Sequence, residues 1–388
     1  MPPVPLIRNR PVFMGFLLVV LGASVLPFLA HAPNRLISGQ PIWFISLPLQ
    51  GVGLACVPGI ALAITPFMRQ SRWLLDGTAF AAFVLMAILL FMAGQQASHI
   101  GALAGGSART SFGSGFWVMF AASALVMAES LFRAGHMAST RMLAGFASVL
   151  LVMVMIGTGH LDALSIMKEY ANTSDVFWQA FIQHIIIVLG ALLPTLLLGV
   201  PLGVLSFRQS GFGRGLLAGL NVVQTIPSIA LFGLLMAPLS ALAVAMPSLR
   251  AAGISGIGLA PAIMALTLYC LLPIVRNTSD GLAQVPEHVI QAAQGMGMSK
   301  RQIFWQVQVP LALPVFLSGL RITLVQSIGL AAVAALIGAG GLGSIMFKGL
   351  FANALDLVLL GAVPIVIMVV VVDTLFKFGV NRMSGTGQ

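Results

Sequence analysis

The chain has 388 residues, 59% of them apolar and only 7% charged, with a mean hydropathy of +1.04. Water-soluble domains run near about 25% charged, which excludes a soluble enzyme or binding module. The formal charge of +10 raises nucleic acid as a partner, but the basic residues are spread loop by loop and form no patch, so no nucleic-acid partner is expected.

A bilayer crossing takes roughly 20 apolar residues, and ten segments qualify. They lie at about 11–30, 41–67, 74–95, 113–132, 142–160, 183–206, 216–246, 257–275, 312–337 and 355–378. Only helices or closed barrels satisfy backbone groups in lipid, and these runs are too long and continuous for barrel strands. The expected fold is an all-α, polytopic membrane bundle of about ten helices. Arg8 and Arg10 before the first run, and Ala30-His31-Ala32 after it, mimic a signal peptide. That run exceeds a signal-peptide core in length, so a retained first helix is expected.

In chain order, residues 1–160 form an N-terminal five-span region with little polar chemistry. Residues 161–182 form an external interfacial segment carrying Asp162, Lys168, Glu169, Tyr170, Asp175 and Trp178. It reads either as an amphipathic helix at the headgroup level or as a dock for an external partner. Residues 183–388 hold five more spans, with a polar loop at 286–310. Cys56 and Cys270 each lie in an apolar span and read as packing residues, not as a disulfide or metal site.

Charge sets the orientation. With the N-terminus inside, the inner segments hold Arg8, Arg10, Arg69, Arg72, Arg133, Arg141, Arg208, Arg214, Arg276, Lys300, Arg301, Arg321, Lys377 and Arg382. The outer segments hold Arg35, Arg109, Lys168, Arg250 and Lys348. This bias follows the positive-inside rule and places both termini in the cytoplasm.

The loop, PEHVIQAAQGMGMSKRQIFWQVQVP, reads as two short helices. Pro286 suits a first helical turn. Val285, Val289, Ala292, Ala293 and Met296 share one face, and Gly297 can take the positive φ that ends a helix. Ser299 with Gln302 forms a capping box for a second helix running to Pro310. Ala292 and Ala293 present a small surface that a partner can approach closely. An amphipathic loop lying on the membrane is the bland alternative.

The loop resembles the "EAA" coupling loop of ABC importer permeases, whose pattern is Glu-Ala-Ala, three residues, Gly, nine residues, Ile-x-Leu-Pro. It falls here on Gln291-Ala292-Ala293, Gly297 and Val307-Gln308-Val309-Pro310, with Gln in place of Glu and Val for both aliphatics. Five spans around such a loop resemble the core of the smaller permeases. PTLLLGVPLGVL (194–205), QTIPSIALFGLL (224–235), LPIVRNT (272–278) and LIGAGGLG (336–343) look like permeases for glycine betaine and related osmoprotectants. APNRLISG (32–39), ARTSFGSGFW (108–117) and SIMKEYAN (165–172) resemble the Yeh-type betaine permease. The resemblance implies a multi-pass subunit in a bacterial inner (cytoplasmic) membrane. It further implies a cytoplasmic ATPase pair that binds ATP and Mg, an external substrate-binding protein, and a second permease chain, identical or related. Gln291, Ala292, Ala293, Gly297, Ser299, Val307 and Pro310 would form the ATPase-coupling loop.

Polar residues inside spans mark candidate pathway positions: Gln224, Thr225, Pro227 and Ser228 in the seventh, Tyr269 in the eighth, and Gln326 and Ser327 in the ninth. Pro227 should break its helix, and broken helices with polar neighbours line transport pathways; inter-helix hydrogen bonding is the alternative. Gly338-Ala339-Gly340-Gly341-Leu342-Gly343 fits G-x-G-x-x-G but follows a membrane span, so it reads as flexible backbone near an exit gate and not as a nucleotide fingerprint. The sequence carries no P-loop and no H-E-x-x-H, and its six histidines are scattered. No catalytic residue, bound cofactor or metal is expected in this chain. An ion-coupled secondary transporter, or an ABC permease for another small solute, is the alternative reading.

Overall fold

The computed structural model describes residues 7–34, 39–104, 108–251 and 253–383; Arg35 of the charge count lies outside them. The chain divides into two units, Met1–Asn172 and Thr173–Gln388.

In the first unit, Asn9 caps α1 (Arg10–Ser24) by accepting from the Val12 N–H at 3.3 Å, with Pro11 in the first turn. The helix has only 15 residues, about 22 Å, short of the roughly 30 Å hydrocarbon core. The expected first span at 11–30 is therefore only half right. Its second half leaves the helix as strand β1 (Pro27–Ala32), which pairs antiparallel with β2 (Gln40–Trp43) on one side and β3 (Arg109–Phe112) on the other. Phe28, fully buried, anchors this small sheet edge-on against Phe44 and Phe116.

Helices α2 (Leu49–Ile64), α3 (Arg72–Ala104), α4 (Ser114–Arg133) and α5 (Ala138–Gly157) follow. The unit closes with α6 (Ser165–Asn172). This helix is tied to the sheet and does not lie free. Leu164 bridges to Thr110, Lys168 Nζ donates to the Ala108 carbonyl at 2.9 Å, and buried Glu169 sits 4.0 Å from the Arg109 guanidinium. Burial and the adjacent Arg109 hold the Lys168 ammonium below the usual lysine range.

The second unit begins with α7 (Ser174–Arg208), so residues 174–182 are already the opening turns of a long helix. Then come α8 (Ser210–Thr225), α9 (Ser228–Ala245), the single turn α10 (Pro247–Ala251) and α11 (Leu259–Ala283). The polar loop holds α12 (Glu287–Gly295) and α13 (Lys300–Gln302). A widened π turn at Ile303–Gln308 leads into α14 (Val309–Val333), and α15 (Leu342–Phe351) and α16 (Leu355–Met383) complete the chain. Helix α11 packs against both α7 and α14, and α16 packs against α14 and α15. Leu266, Tyr269, Ile187, Phe232 and Ile328 sit in the resulting core.

Among the described residues nine helices are long and apolar enough to cross a membrane. They correspond to the expected spans except the first, where α1 is too short. The expected seventh span is split at Ile226-Pro227, both in extended backbone, and only α9 meets the length on its own.

Candidate functional site

The polar loop owes its shape to three local signals. Pro286 stands at the N-cap of α12, and Glu287 in the first turn complements the positive end of the helix. At the other end Met298 N–H reaches the Ala293 carbonyl at 3.1 Å and Gly297 N–H reaches Gln294 at 2.9 Å, with Gly297 at φ +79°. This is a Schellman ending, for which glycine is the unstrained choice. Ser299 then caps the next helix, its hydroxyl accepting from the Gln302 N–H while the Gln302 side chain accepts from Ser299 N–H at 2.8 Å.

Two expectations fail here. The second helix does not end at Pro310. It runs without interruption from Lys300 to Ile337, because the π turn just before the proline shifts the bonding pattern, with Val309 N–H bonding to Phe304. Pro310 follows this turn directly, so its missing N–H and its ring fall where the i→i−4 ladder is already displaced. Nor do Ala292 and Ala293 present a shared surface. Ala293 is 2% exposed, buried where α12 packs on the π turn together with Ile303, whereas Ala292 faces out. The free face of the loop carries Gln291, Ala292, Met296 and Trp305, the last two 75% and 60% exposed. Val307 is half-buried in the π turn, and Ser299 is exposed. Arg208, at the end of α7, lays its guanidinium 5.1 Å from the Phe304 ring centre and ties the loop to that helix.

A second constellation forms at the break between α8 and α9. The Gln224 amide donates to the Tyr269 carbonyl at 2.9 Å, and the Tyr269 hydroxyl donates to the Ile226 carbonyl. Tyr269 thus satisfies a backbone acceptor that the interruption removes from helical bonding. It lies ten residues into the 25-residue α11, about 15 Å from that helix's start, so the break falls near mid-span. Thr225 is exposed and bonds the Val222 carbonyl at 2.7 Å, Pro227 is exposed, and Ser228 opens α9 half-buried.

The matched families decide what scaffold carries these two features. Residues 195–385 match the family described as binding-protein-dependent transport system inner membrane components, and residues 9–167 match the N-terminal domain of the ABC transporter permease YehY. The osmoprotectant import permease OsmW of Salmonella typhimurium (strain LT2) is 39% identical over 50% of this chain and 85% of its own length. OsmY of the same organism is 36% identical over 64% of this chain and 98% of its own length. This chain belongs to the ABC importer permease family. The glycine betaine/carnitine/choline permease OpuCD of Bacillus subtilis (strain 168) is also similar, 35% identical over 53% of this chain and 82% of its own length.

The permease is therefore a multi-pass transport component, of a family that works in a membrane with an ATPase and a substrate-binding protein. The break gathers Gln224, Thr225, Pro227, Ser228 and Tyr269, while Gln326 and Ser327 lie on α14. Ser327 is fully buried and spends its hydroxyl on Leu324 of its own helix at 3.0 Å; Gln326 is half-buried beside it on α14.

Residues that sequence reasoning passed over also emerge in the permease. Arg321, counted above among inner loop residues, lies inside α14 and sits 3.4 Å from Asp373 of α16, which also holds Lys377 at 2.6 Å. A lone arginine within an apolar run, and the Asp373/Lys377 pair four apart, were the available signals. Gln183 and His184 of α7 contact the glycine turn and α14; a polar pair opening an apolar run was the available signal.

Proposed function

We propose that this permease imports a small osmoprotectant of the betaine class into the cytoplasm of a bacterium, across the inner membrane. The 286–310 loop receives a cytoplasmic ATPase pair, an external binding protein delivers the solute, and a second permease chain completes the pathway. The observation that carries this reading is the loop itself. Its backbone is fixed by a glycine ending and a capping box, while its free face exposes Met296 and Trp305. Large apolar side chains held in an ordered polar loop suit a protein partner better than bulk water.

The relatives named for osmoprotectants and for glycine betaine, carnitine and choline support the substrate class. The α8–α9 break supplies a chemical reason for it. The C-terminal carbonyls of α8 form a partial negative end, and the first N–H groups of α9 a partial positive one. A zwitterion with a quaternary ammonium and a carboxylate matches both, with the Tyr269 ring available to the cation. In the conformation seen, Tyr269 is 5% exposed and closes the break.

The test is uptake of radiolabelled glycine betaine by vesicles holding the permease with its ATPase and binding protein. Uptake should require internal ATP and survive collapse of ion gradients. Uptake driven by an ion gradient through the permease alone would replace this reading with a secondary carrier. ATP-dependent flux of another solute, with no betaine flux, would retain the importer and discard the substrate.

A further inference from the structure

The turn Gly338–Gly341 is bonded by one side chain of α7, Gln183, and faced by the next, His184. Gly338, Gly340 and Gly341 all adopt positive φ, at 79°, 79° and 77°, a backbone that other residues adopt only under strain. The Gln183 amide donates to the Ala339 carbonyl at 3.2 Å. His184, fully buried, donates from Nε2 to the Ile328 carbonyl of α14 at 3.1 Å, while its Nδ1 has no hydrogen-bond partner. That nitrogen faces the turn: a Cβ added to Gly341 would lie 3.2 Å from it. Burying a histidine nitrogen unsatisfied carries a free-energy cost, and simple packing would be served better by Leu or Phe.

The position of this contact matters as much as its chemistry. The helix that His184 grips starts at Lys300 in the polar loop and runs unbroken to Ile337, the residue just before the turn. One continuous rod thus joins the loop to the glycine turn at the opposite end of the span.

We propose that Gln183 and His184 are positioning residues that latch the Gly338–Gly341 turn closed against α7, and that movement of the coupling loop releases this latch through α14. The second half rests on the coupling-loop reading; the latch itself does not.

The experiment follows Ala339, 3% exposed in the closed turn. In a chain with Cys56→Ala and Cys270→Ala, an Ala339→Cys substitution should react slowly with a membrane-impermeant maleimide. Adding His184→Leu should speed labelling by about fivefold, the size of shift that one lost hydrogen bond makes in an open–closed equilibrium. His184→Gln, whose amide can still donate to Ile328, should return the rate to near the parent's. In the assembled complex, locking the ATPase with a non-hydrolysable ATP analogue should also speed labelling in the parent chain, and adding His184→Leu should abolish that nucleotide dependence.

Equal labelling in parent and His184→Leu would overturn the latch, as would fast labelling in both Leu and Gln variants, which would indicate local damage only. Labelling indifferent to nucleotide would overturn the release step. Failure of the coupling-loop reading would be visible separately, as nucleotide-stimulated labelling that survives Gly297→Val unchanged.

Discussion

At the residue scale, the ending of α12 rests on Gly297. Its φ of +79° costs an ordinary L-residue about 1–2 kcal/mol, and a β-branched one fares worse. Gly297→Val should therefore lower substrate-stimulated ATP hydrolysis in the assembled complex while membrane insertion, read by expression level, stays normal. Full stimulation in that variant would rule out the turn as a coupling element. The neighbouring alanines separate docking from folding. Ala292 is exposed, and Ala293 is enclosed by the loop's own packing. Ala293→Trp should destabilise the loop by roughly 1–3 kcal/mol through overpacking, lowering both the thermal midpoint and ATPase retention. Ala292→Trp should lose ATPase during purification with the midpoint unchanged. If Ala292→Trp keeps a full complement of ATPase, this face does not dock it. At the helix break, Tyr269→Phe leaves the Ile226 carbonyl without its donor, a cost of roughly 1–3 kcal/mol when that group stays buried. Uptake should fall while the ATPase remains bound; unchanged uptake would show that the hydroxyl bond to Ile226 plays no part in transport.

At the element scale, α14 and α16 are joined by Arg321, Asp373 and Lys377. Arg321 and Asp373 lie on facing helices that are both long and apolar enough to cross a membrane, so neither charge is well served without the other. Removing one partner inside the bundle leaves a charge in a poor environment. Arg321→Met and Asp373→Leu should each lower the thermal midpoint in detergent, and the double variant should recover part of the loss. Strictly additive losses would mean the two side chains do not act as a pair. The continuity of α14 through Pro310 was not readable from sequence, because proline normally marks an ending. The π turn that admits it packs against α12, a contact between segments that local sequence does not display.

At the scale of the whole molecule, the charge bias defines a topology that can be checked directly. Reporter fusions after Arg214 and after Arg301 should read cytoplasmic, and one near Lys168 should read external. A cytoplasmic reading at Lys168 would change the parity of the spans before it. The structure gathers β1, β2, β3 and α6 into one cap, as alternating helices with these connections on one side require.

The sequence by itself determined the membrane bundle, the helix break at Pro227, the glycine ending at Gly297 and the capping box at Ser299. Each of these is a local property, read from apolar run length, a missing N–H, a missing Cβ or a hydroxyl three residues before a glutamine. Only the tertiary structure decided that Ala293 is covered and that Phe28 belongs to a sheet instead of a span. The same holds for Arg321 finding Asp373, and for His184 reaching Ile328 across 144 positions of chain. Those outcomes depend on which helix faces are brought together, and in a chain that is 59% apolar nearly every face reads as suitable for burial, so the pattern that would choose among them is absent.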